Sequence, residues 1–274
     1  MRQQQRLNAI LDALGAEGHL SIDAIVRRFA VSAATARRDL DVLARQRLVT
    51  RTHGGAVAAG SAYELPLQYK IARHARAKVA IAERAAQLVA PGEVVGLTGG
   101  TTTTQVARAL GAAPRMSADR GHGVTVVTNA LNIAYELAIR PHVKLVVTGG
   151  VARPQTFELV GPMAGATMAG LALDWAVIGV DGLDARYGAT TPDEGEAAVN
   201  RDLVTTARRV VVVADGSKLG RSTFARICSL EEISTVVTDA EPEADLADAL
   251  AAAEVEVIVA RPARPDGRPS SPGG

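Results

Sequence analysis

The chain is short of cysteine, of aromatic side chains and of net charge, and each shortage closes off a class of function. Its single cysteine, Cys228, excludes an internal disulfide and a cysteine metal cluster, and reads as a small buried apolar residue. The five histidines (His19, His53, His74, His122 and His142) are scattered without ligand spacing, so neither a metal site nor a cofactor is expected. Nowhere do about 18 uncharged apolar residues run together, which argues against a membrane span. The opening MRQQQRLNAI lacks the apolar core of a secretion signal, so a soluble, cytoplasmic protein is expected. Aromatics make up 3% of the residues, and Trp175 and Phe157 read as packing residues rather than stacking platforms. A net charge of only +1 rules out a protein that is basic throughout.

What is present is apolar material and an uneven charge. Of the 274 residues 47% are hydrophobic, enough for one large domain or for a large and a small one. Residues 1–57 carry nine basic and five acidic side chains, whereas the remainder carries 21 and 24. A basic head on a mildly acidic body is the asymmetry expected when only the head meets a polyanion.

The head reads as three helices and a hairpin. Leu7, Ile10, Leu11 and Leu14 share one helical face, and the helix stops around Gly15 to Gly18. Ser21 offers an N-cap to a second stripe of Ile22, Ile25, Val26 and Phe29. Ser32 caps a third helix whose inward positions are Ala36, Leu40 and Leu43. Leu48 to Thr52 alternates as a strand, and Gly54-Gly55 lets it double back. This order of parts is a winged helix-turn-helix, in residues 1–57. Residues 58–74 are expected to form the linker and the start of a connecting helix running from about Tyr69 to Val89.

Beyond that helix the period changes. Seven β-rich runs, VVGL (94–97), VTVVT (124–128), VKLVV (143–147), WAVIGV (175–180), VVVVA (210–214), STVVT (234–238) and VEVIV (255–259), are mostly separated by helical text. Such alternation predicts an α/β domain over 75–260 with a mostly parallel, doubly wound sheet. The tail 261–274, rich in proline and glycine, reads as disordered.

Chemistry concentrates in two places. On the third helix Arg37 and Arg38 face outward near an N-terminus bearing Ser32 and Thr35, where arginine can read guanine and amides can hold phosphates. Arg51 and His53, on the wing, are placed to reach the adjoining backbone or minor groove. Two arginines on an arbitrary helix are usually a solvated face, but the three helices and wing around them favour a partner in double-stranded DNA.

In the body, VVGLTGGTTTTQVARAL reads strand, glycine turn, helix. Gly99 and Gly100 permit close backbone approach, and Thr101, Thr102 and Thr103 bring hydroxyls beside free helix amides, an anion cradle. No GK[ST] follows, so a nucleotide-binding loop is not indicated. Thr128, Asn129, Gly150, Asp181, Asp215 and Lys218 also fall at strand ends, where open parallel sheets bind ligands. Each singly could be a turn former or a surface residue; their convergence favours a site. Asp193 and Glu194 read as a solvated acidic turn, while Glu196 stays a candidate.

These motifs carry a resemblance. Residues 6–57 resemble the N-terminal domain of the DeoR family of bacterial transcription regulators, through Val31-Ser32, Thr35, Arg37-Arg38-Asp39-Leu40, Leu43, Arg51 and His53 to Ala56. Ala36 stands where isoleucine is usual in that family, and Arg47 where glycine is common. The body resembles the family's sensor domain up to about residue 260. The matching stretches are Gly100 to Thr103, Val126 to Ala130, Thr148 to Gly150, Val160-Gly161, Asp174 to Leu183, Glu196 with Arg201, and Ala214 to Gly220. Thr98 stands where many members have an acidic residue. The resemblance implies a fold similar to ribose-5-phosphate isomerase and CoA-transferases, and a phosphorylated sugar as effector.

The expected function is therefore a DNA-binding transcription regulator, a repressor of a carbohydrate operon, acting without catalysis as a homo-oligomer (dimer or tetramer). The alternatives are an active sugar-phosphate isomerase carrying a DNA-binding appendage, and an architectural DNA binder whose body only oligomerises.

Overall fold

The structure is a computed structural model that describes residues 2–46, 48–58, 66–71, 73–116 and 123–261. It divides into two compact units at 65/66, each built around its own core. Arg47, most of the expected linker (59–65) and all but the first residue of the expected tail lie outside the described residues.

The first unit contains α1 (Gln3–Glu17), β1 (His19–Ser21), α2 (Ile22–Phe29), α3 (Ala33–Arg45), β2 (Val49–Thr52) and β3 (Gly55–Ala58). Leu7, Ile10, Leu11 and Leu14 of α1 meet Ile25 of α2 and Ala36, Leu40 and Leu43 of α3 in its core. Both expected serine caps form: Ser21 Oγ accepts from the Ala24 amide and Ser32 Oγ from the Thr35 amide, each at 3.1 Å. The strand β1 was not legible in the sequence. It pairs antiparallel with β3, so the wing is a three-stranded sheet in the order β1-β3-β2. Gly55 makes this possible, because a Cβ there would lie 2.1 Å from the Leu20 carbonyl oxygen.

The second unit opens with α4 (Leu67–Lys70) and α5 (Ala75–Ala86). The single helix expected from Tyr69 to Val89 is thus two, because His74 takes a left-handed backbone (φ 51°) and becomes the N-cap of α5. There follow β4 (Val94–Leu97), α6 (Thr101–Ala112), β5 (Val124–Thr128), α7 (Leu131–Leu137), β6 (Val143–Val147), β7 (Val151–Ala152), β8 (Leu159–Val160) and α8 (Pro162–Met168). The chain continues through β9 (Leu173–Gly179), β10 (Gly182–Asp184), β11 (Gly188–Thr191), α9 (Glu194–Thr206), β12 (Ala207–Val213) and β13 (Ala225–Cys228). It closes with β14 (Thr235–Thr238), α10 (Ala244–Ala252) and β15 (Glu256–Val259).

All seven runs singled out in the sequence enter one parallel sheet, ordered β15-β14-β12-β9-β4-β5-β6. Alternate residues serve opposite faces. Ala176, Ile178, Val210, Val212 and Val236 pack with Met168, Leu203, Leu246 and Leu250, from α8, α9 and α10. Val95, Leu97, Val126, Val177, Val211 and Val237 pack with Ile81, Val106, Leu110 and Ile133, from α5, α6 and α7. Coverage on both sides explains why these strands read as continuous apolar text. The hairpin β7-β8 and the antiparallel sheet β10-β11-β13, invisible as periodic runs, lie outside this main sheet.

From β4 the chain builds outward through β5 and β6, then returns to place β9 on the other side of β4. Strand order therefore reverses between β4 and β9, the crevice where open α/β sheets bind ligands.

In the first unit Asp39 of α3 is buried (1% exposed) and held bidentately by Arg6 of α1, at 2.5 Å from Nε and 3.1 Å from Nη2. Removing one partner of a buried ion pair strands the other. Asp39→Ala is expected to cost about 3–5 kcal/mol in unfolding of this unit. Calorimetric scanning of the full chain measures it, as a lowered transition for the N-terminal unit alone.

Candidate functional site

On α3, Arg37 and Arg38 project into solvent with Ser32, while the inward positions and Asp39 are buried. Thr35 is half-buried, its hydroxyl 3.0 Å from that of Ser32. His53 is exposed at the tip of the wing. Arg51 has partners within the unit. Its Nε lies 3.3 Å from Asp41 and its Nη1 donates to the Gly55 carbonyl at 3.3 Å, so it braces the wing against α3 instead of extending freely. Ala36, at 0% exposure, leaves the helix closely packed.

In the second unit the candidate groups gather at the carboxyl ends of β5, β4, β9 and β12, four adjacent strands. Thr98 Oγ1 accepts from the Gly179 amide at 3.0 Å, tying the end of β4 to the end of β9 across the reversal point. Gly100 then adopts φ 121°, open only to glycine, and α6 starts at Thr101 with its amide end toward this edge. Thr101 and Gly100 remain partly accessible.

Several expected ligand groups turn out to build the turn itself. The Thr103 hydroxyl, fully buried, donates to the Gly99 carbonyl at 2.8 Å, and Thr104 donates to Gly100 at 2.6 Å. Thr128 donates to the Leu97 carbonyl at 2.8 Å and accepts from the Ala130 amide. Helical threonines commonly bond back to carbonyls three or four residues earlier, which consumes the hydroxyls expected to face a ligand. Thr102 is buried (8% exposed), and Gly150, at φ 138°, backs onto β8. The cradle therefore rests on backbone more than on hydroxyls.

A loop the sequence did not mark covers this edge. Arg153 pairs with Glu196 at 2.8 Å and with Asp193 at 2.9 Å, and Thr156 and Thr191 also donate to Glu196. Glu196 is thus committed to this network, not to Lys218. Glu158 lays its carboxylate against Gly99, where a Cβ would come within 2.5 Å of Oε1, and accepts from Asn129 Nδ2 at 3.0 Å. Asn129 itself is fully buried and its Oδ1 has no partner among the described residues. Phe157 is 42% exposed with φ 61°, contrary to the expectation that it packs. Trp175 does pack, beneath the Arg209 guanidinium and donating to Glu93 at 2.7 Å. Cys228 is buried as expected, which pushes its thiol up to about 12.

The third group is cationic. Lys218 Nζ lies 2.8 Å from Asp181 Oδ1, and Lys70 Nζ lies 3.4 Å from the same oxygen. Burial works to raise the Asp181 pKa, but the two ammonium groups overcome it and hold the carboxyl below its ordinary value. Asp215 caps the short turn bearing Lys218, accepting from the Ser217 amide at 3.2 Å. Lys78 of α5 is 5% exposed and donates to the Lys70 carbonyl at 2.9 Å. Burial lowers its pKa to about 8; Asp215 pulls it up, while Lys218, Lys70 and Arg73 push it down. Lys70, Arg73, Lys78 and Lys218 thus meet Asp181 and Asp215 at this edge, beside the buried Glu158 carboxylate on Gly99 and the Arg153–Glu196–Asp193 network.

Lys70, Arg73 and Lys78 were missed in the sequence because they sit on the text read as a connecting helix. One signal was available: Lys78 falls in the inward stripe completed by Ile81, Ala82 and Ala85. Among the described residues no helix is long and apolar enough to cross a membrane, and no cluster of three His, Cys, Asp or Glu side chains is placed to hold a metal.

A winged helix-turn-helix joined to an α/β domain with a charged crevice at its strand reversal defines a DNA-binding regulator with a ligand-sensing body. Family comparison agrees. Residues 6–62 match the DeoR-like helix-turn-helix domain and residues 73–240 the DeoR C-terminal sensor domain. The chain is 36% identical to the HTH-type transcriptional regulator GlpR of Haloferax volcanii, over 94% of this chain and 98% of that one. It is 31% identical to the glycerol-3-phosphate regulon repressor of Escherichia coli K12, over 88% and 93% respectively. The chain belongs to the DeoR family of transcription regulators; it is a regulator and not an enzyme. Among solved structures, ribose 5-phosphate isomerase A of Methanocaldococcus jannaschii is similar over 53% of this chain and 55% of its own, at 22% identity and a TM-score of 0.40.

The buried lysine gives this unit a pH signature. In the folded domain Lys78 gives up its proton near pH 8, whereas the unfolded chain keeps it to about the ordinary 10.5. Between those values the unfolded state binds more protons, so this group makes stability rise with pH across the window and adds no slope below it. Lys78→Met is expected to abolish the rise. Thermal unfolding of both proteins from about pH 7 to about pH 10 checks it, as a wild-type midpoint that rises relative to that of the variant above about pH 8.

Proposed function

We propose that this protein represses a carbohydrate-use operon and is released from its operator by a phosphorylated sugar bound at the β4–β9 crevice. The observation that carries the reading is the meeting of the Gly99-Gly100 turn and the α6 N-terminus with Lys218, Lys70 and Lys78 at one sheet edge. Backbone amides and a helix N-terminus suit phosphate oxygens, and the convergent lysines suit a dianion. Asp181, Asp215, Asn129 and Glu196 remain candidates for the sugar hydroxyls or for positioning the groups that meet them. The similarity to the glycerol-3-phosphate regulon repressor of Escherichia coli is in keeping with an effector that carries a phosphoryl group.

Calorimetry against ribose 5-phosphate, fructose 6-phosphate, glycerol 3-phosphate and inorganic phosphate tests the site. At least one sugar or polyol phosphate is expected to bind, about tenfold or more weakly in Lys218→Met, and to leave the sample chemically unchanged. A negatively charged ligand raises the proton affinity of Lys78, so binding near pH 8 to 9 is accompanied by proton uptake. Absence of binding by every phosphate compound would falsify the effector reading.

For DNA, the exposed pair Arg37 and Arg38 on α3 is proposed to enter the major groove, with Ser32 and Thr35 at the phosphates and His53 on the flank. A single head reads only a short half-site, so a homo-oligomer is proposed to pair two heads. Arg37→Ala with Arg38→Ala is expected to abolish specific operator binding while the second unit stays folded. A base-reading arginine is worth about 1–3 kcal/mol, and a phosphate contact mainly changes the salt slope. Fluorescence anisotropy at fixed salt measures the loss, and sedimentation of the same samples gives the assembly; an unaltered affinity or a monomer with full affinity contradicts the assignment.

A further inference from the structure

The helix α4 holds the first described residues after the DNA-binding unit, and it is only four residues long. Three polar contacts fasten it to the strand-end site. The Leu67 amide donates to the Gln155 carbonyl at 2.7 Å, in the loop whose Glu158 lies on Gly99. Lys70 Nζ reaches Asp181, and the Lys70 carbonyl accepts from Lys78. Leu67 and Tyr69 are buried, but Ile71 is 52% exposed. A cavity of about 170 Å³ lies where Leu67, Ile71 and Phe157 face Thr101, Thr104 and Asn132. The helix α4 therefore borders an incompletely filled space.

Lys70 and Lys218 share one oxygen of Asp181, but they stand on different parts of the chain. Lys218 stands on a turn capped by Asp215 at the end of β12, whose Gly216 amide also donates to Asp239 at 2.8 Å. Lys70 stands on α4. A dianion arriving at the Gly99-Gly100 turn competes with Asp181 for both ammonium groups. Lys218 belongs to a strand-end turn of the sheet itself, whereas Lys70 belongs to the helix that is nearest in sequence to the DNA-binding unit.

Resting on the phosphorylated-ligand reading above, we propose that Lys70 is a ligand-contacting residue and also the relay of the site: its exchange from Asp181 to the ligand moves α4 and so the chain leading to the DNA-binding unit. The coupling is thus a differential one, since one of the three polar contacts of α4 is made to Asp181 when the crevice is empty and to the ligand when it is filled. Lys218 contributes affinity without relaying.

The test uses the full chain, operator DNA and whichever of ribose 5-phosphate, fructose 6-phosphate or glycerol 3-phosphate releases the wild-type protein. For each variant the ratio of operator affinities without and with saturating ligand is measured, saturation being fixed by calorimetry. Wild-type protein is expected to give a ratio of about tenfold, within the usual range of allosteric coupling. Lys218→Met needs more ligand but keeps the ratio. Lys70→Met brings it to within about twofold of unity, and Lys70→Arg restores it. Hydrogen exchange provides a second measurement: protection of the Leu67 and Ile71 amides changes on ligand binding in the wild type. An undiminished ratio in Lys70→Met, equal losses in Lys70→Met and Lys218→Met, or unchanged exchange at both amides with ligand bound overturns the relay. If no phosphate compound binds the wild-type protein, the effector reading itself fails, a result separate from these.

Discussion

The hydrogen bond from the Gly179 amide to the Thr98 hydroxyl closes the one place where the sheet changes direction. Parallel strands with helices on both faces leave their ends as the only accessible edge, and strand reversal opens a crevice there. The Thr98 bond keeps β4 and β9 in register up to their last residues, so that the glycine turn starts where it must. Gly100 then bends into α6, Gly179 packs 3.3 Å (to its missing Cβ) from the Gly99 carbonyl, and Asp181 follows two residues later. The positions of the cradle and of its facing charges both depend on that joint.

Electrostatics, not hydroxyl chemistry, distinguishes this edge. A lysine as deeply buried as Lys78 is costly unless something compensates, and Asp215 and the Lys70 carbonyl do so only in part. Lys218 and Lys70 then divide one carboxylate between them. Several cations and carboxylates from distant segments therefore meet at one poorly solvated edge, where each tunes the others. The threonines play a different part, spending their hydroxyls on the carbonyls of the turn.

The DNA-binding unit separates the same two tasks. Charge needed for folding is turned inward, where Arg6 grips Asp39, and the wing is braced by Arg51 on Asp41 and the Gly55 carbonyl. Arg37 and Arg38, adjacent to Asp39 in sequence, point the other way. Helical geometry makes this possible, since neighbouring residues lie about 100° apart around the axis and one step carries a side chain from core to solvent.

The seven strands of the sheet, both serine caps, the inward faces of α1 and α3 and the glycine turn before α6 could all be read along the chain. Each follows from local periodicity or from the conformational demands of glycine and serine, and such signals need no knowledge of distant residues. The strand β1 and the network of Arg153 and Glu158 could not, because their partners lie far away in sequence, and β7 and β8, two residues each, are too short for a period to show. The same division runs through the site. Gly99, Gly100, Asp181 and Lys218 were legible as polar or flexible residues after apolar strands. That the Thr103 and Thr128 hydroxyls are consumed internally, that Glu196 belongs to Arg153, and that Lys70 and Lys78 join the site from helices preceding the sheet were decided by tertiary structure. Sequence patterns report what each residue does to its neighbours within a few turns or strand steps, whereas the charge balance of a crevice is a sum over segments brought together only when the chain folds.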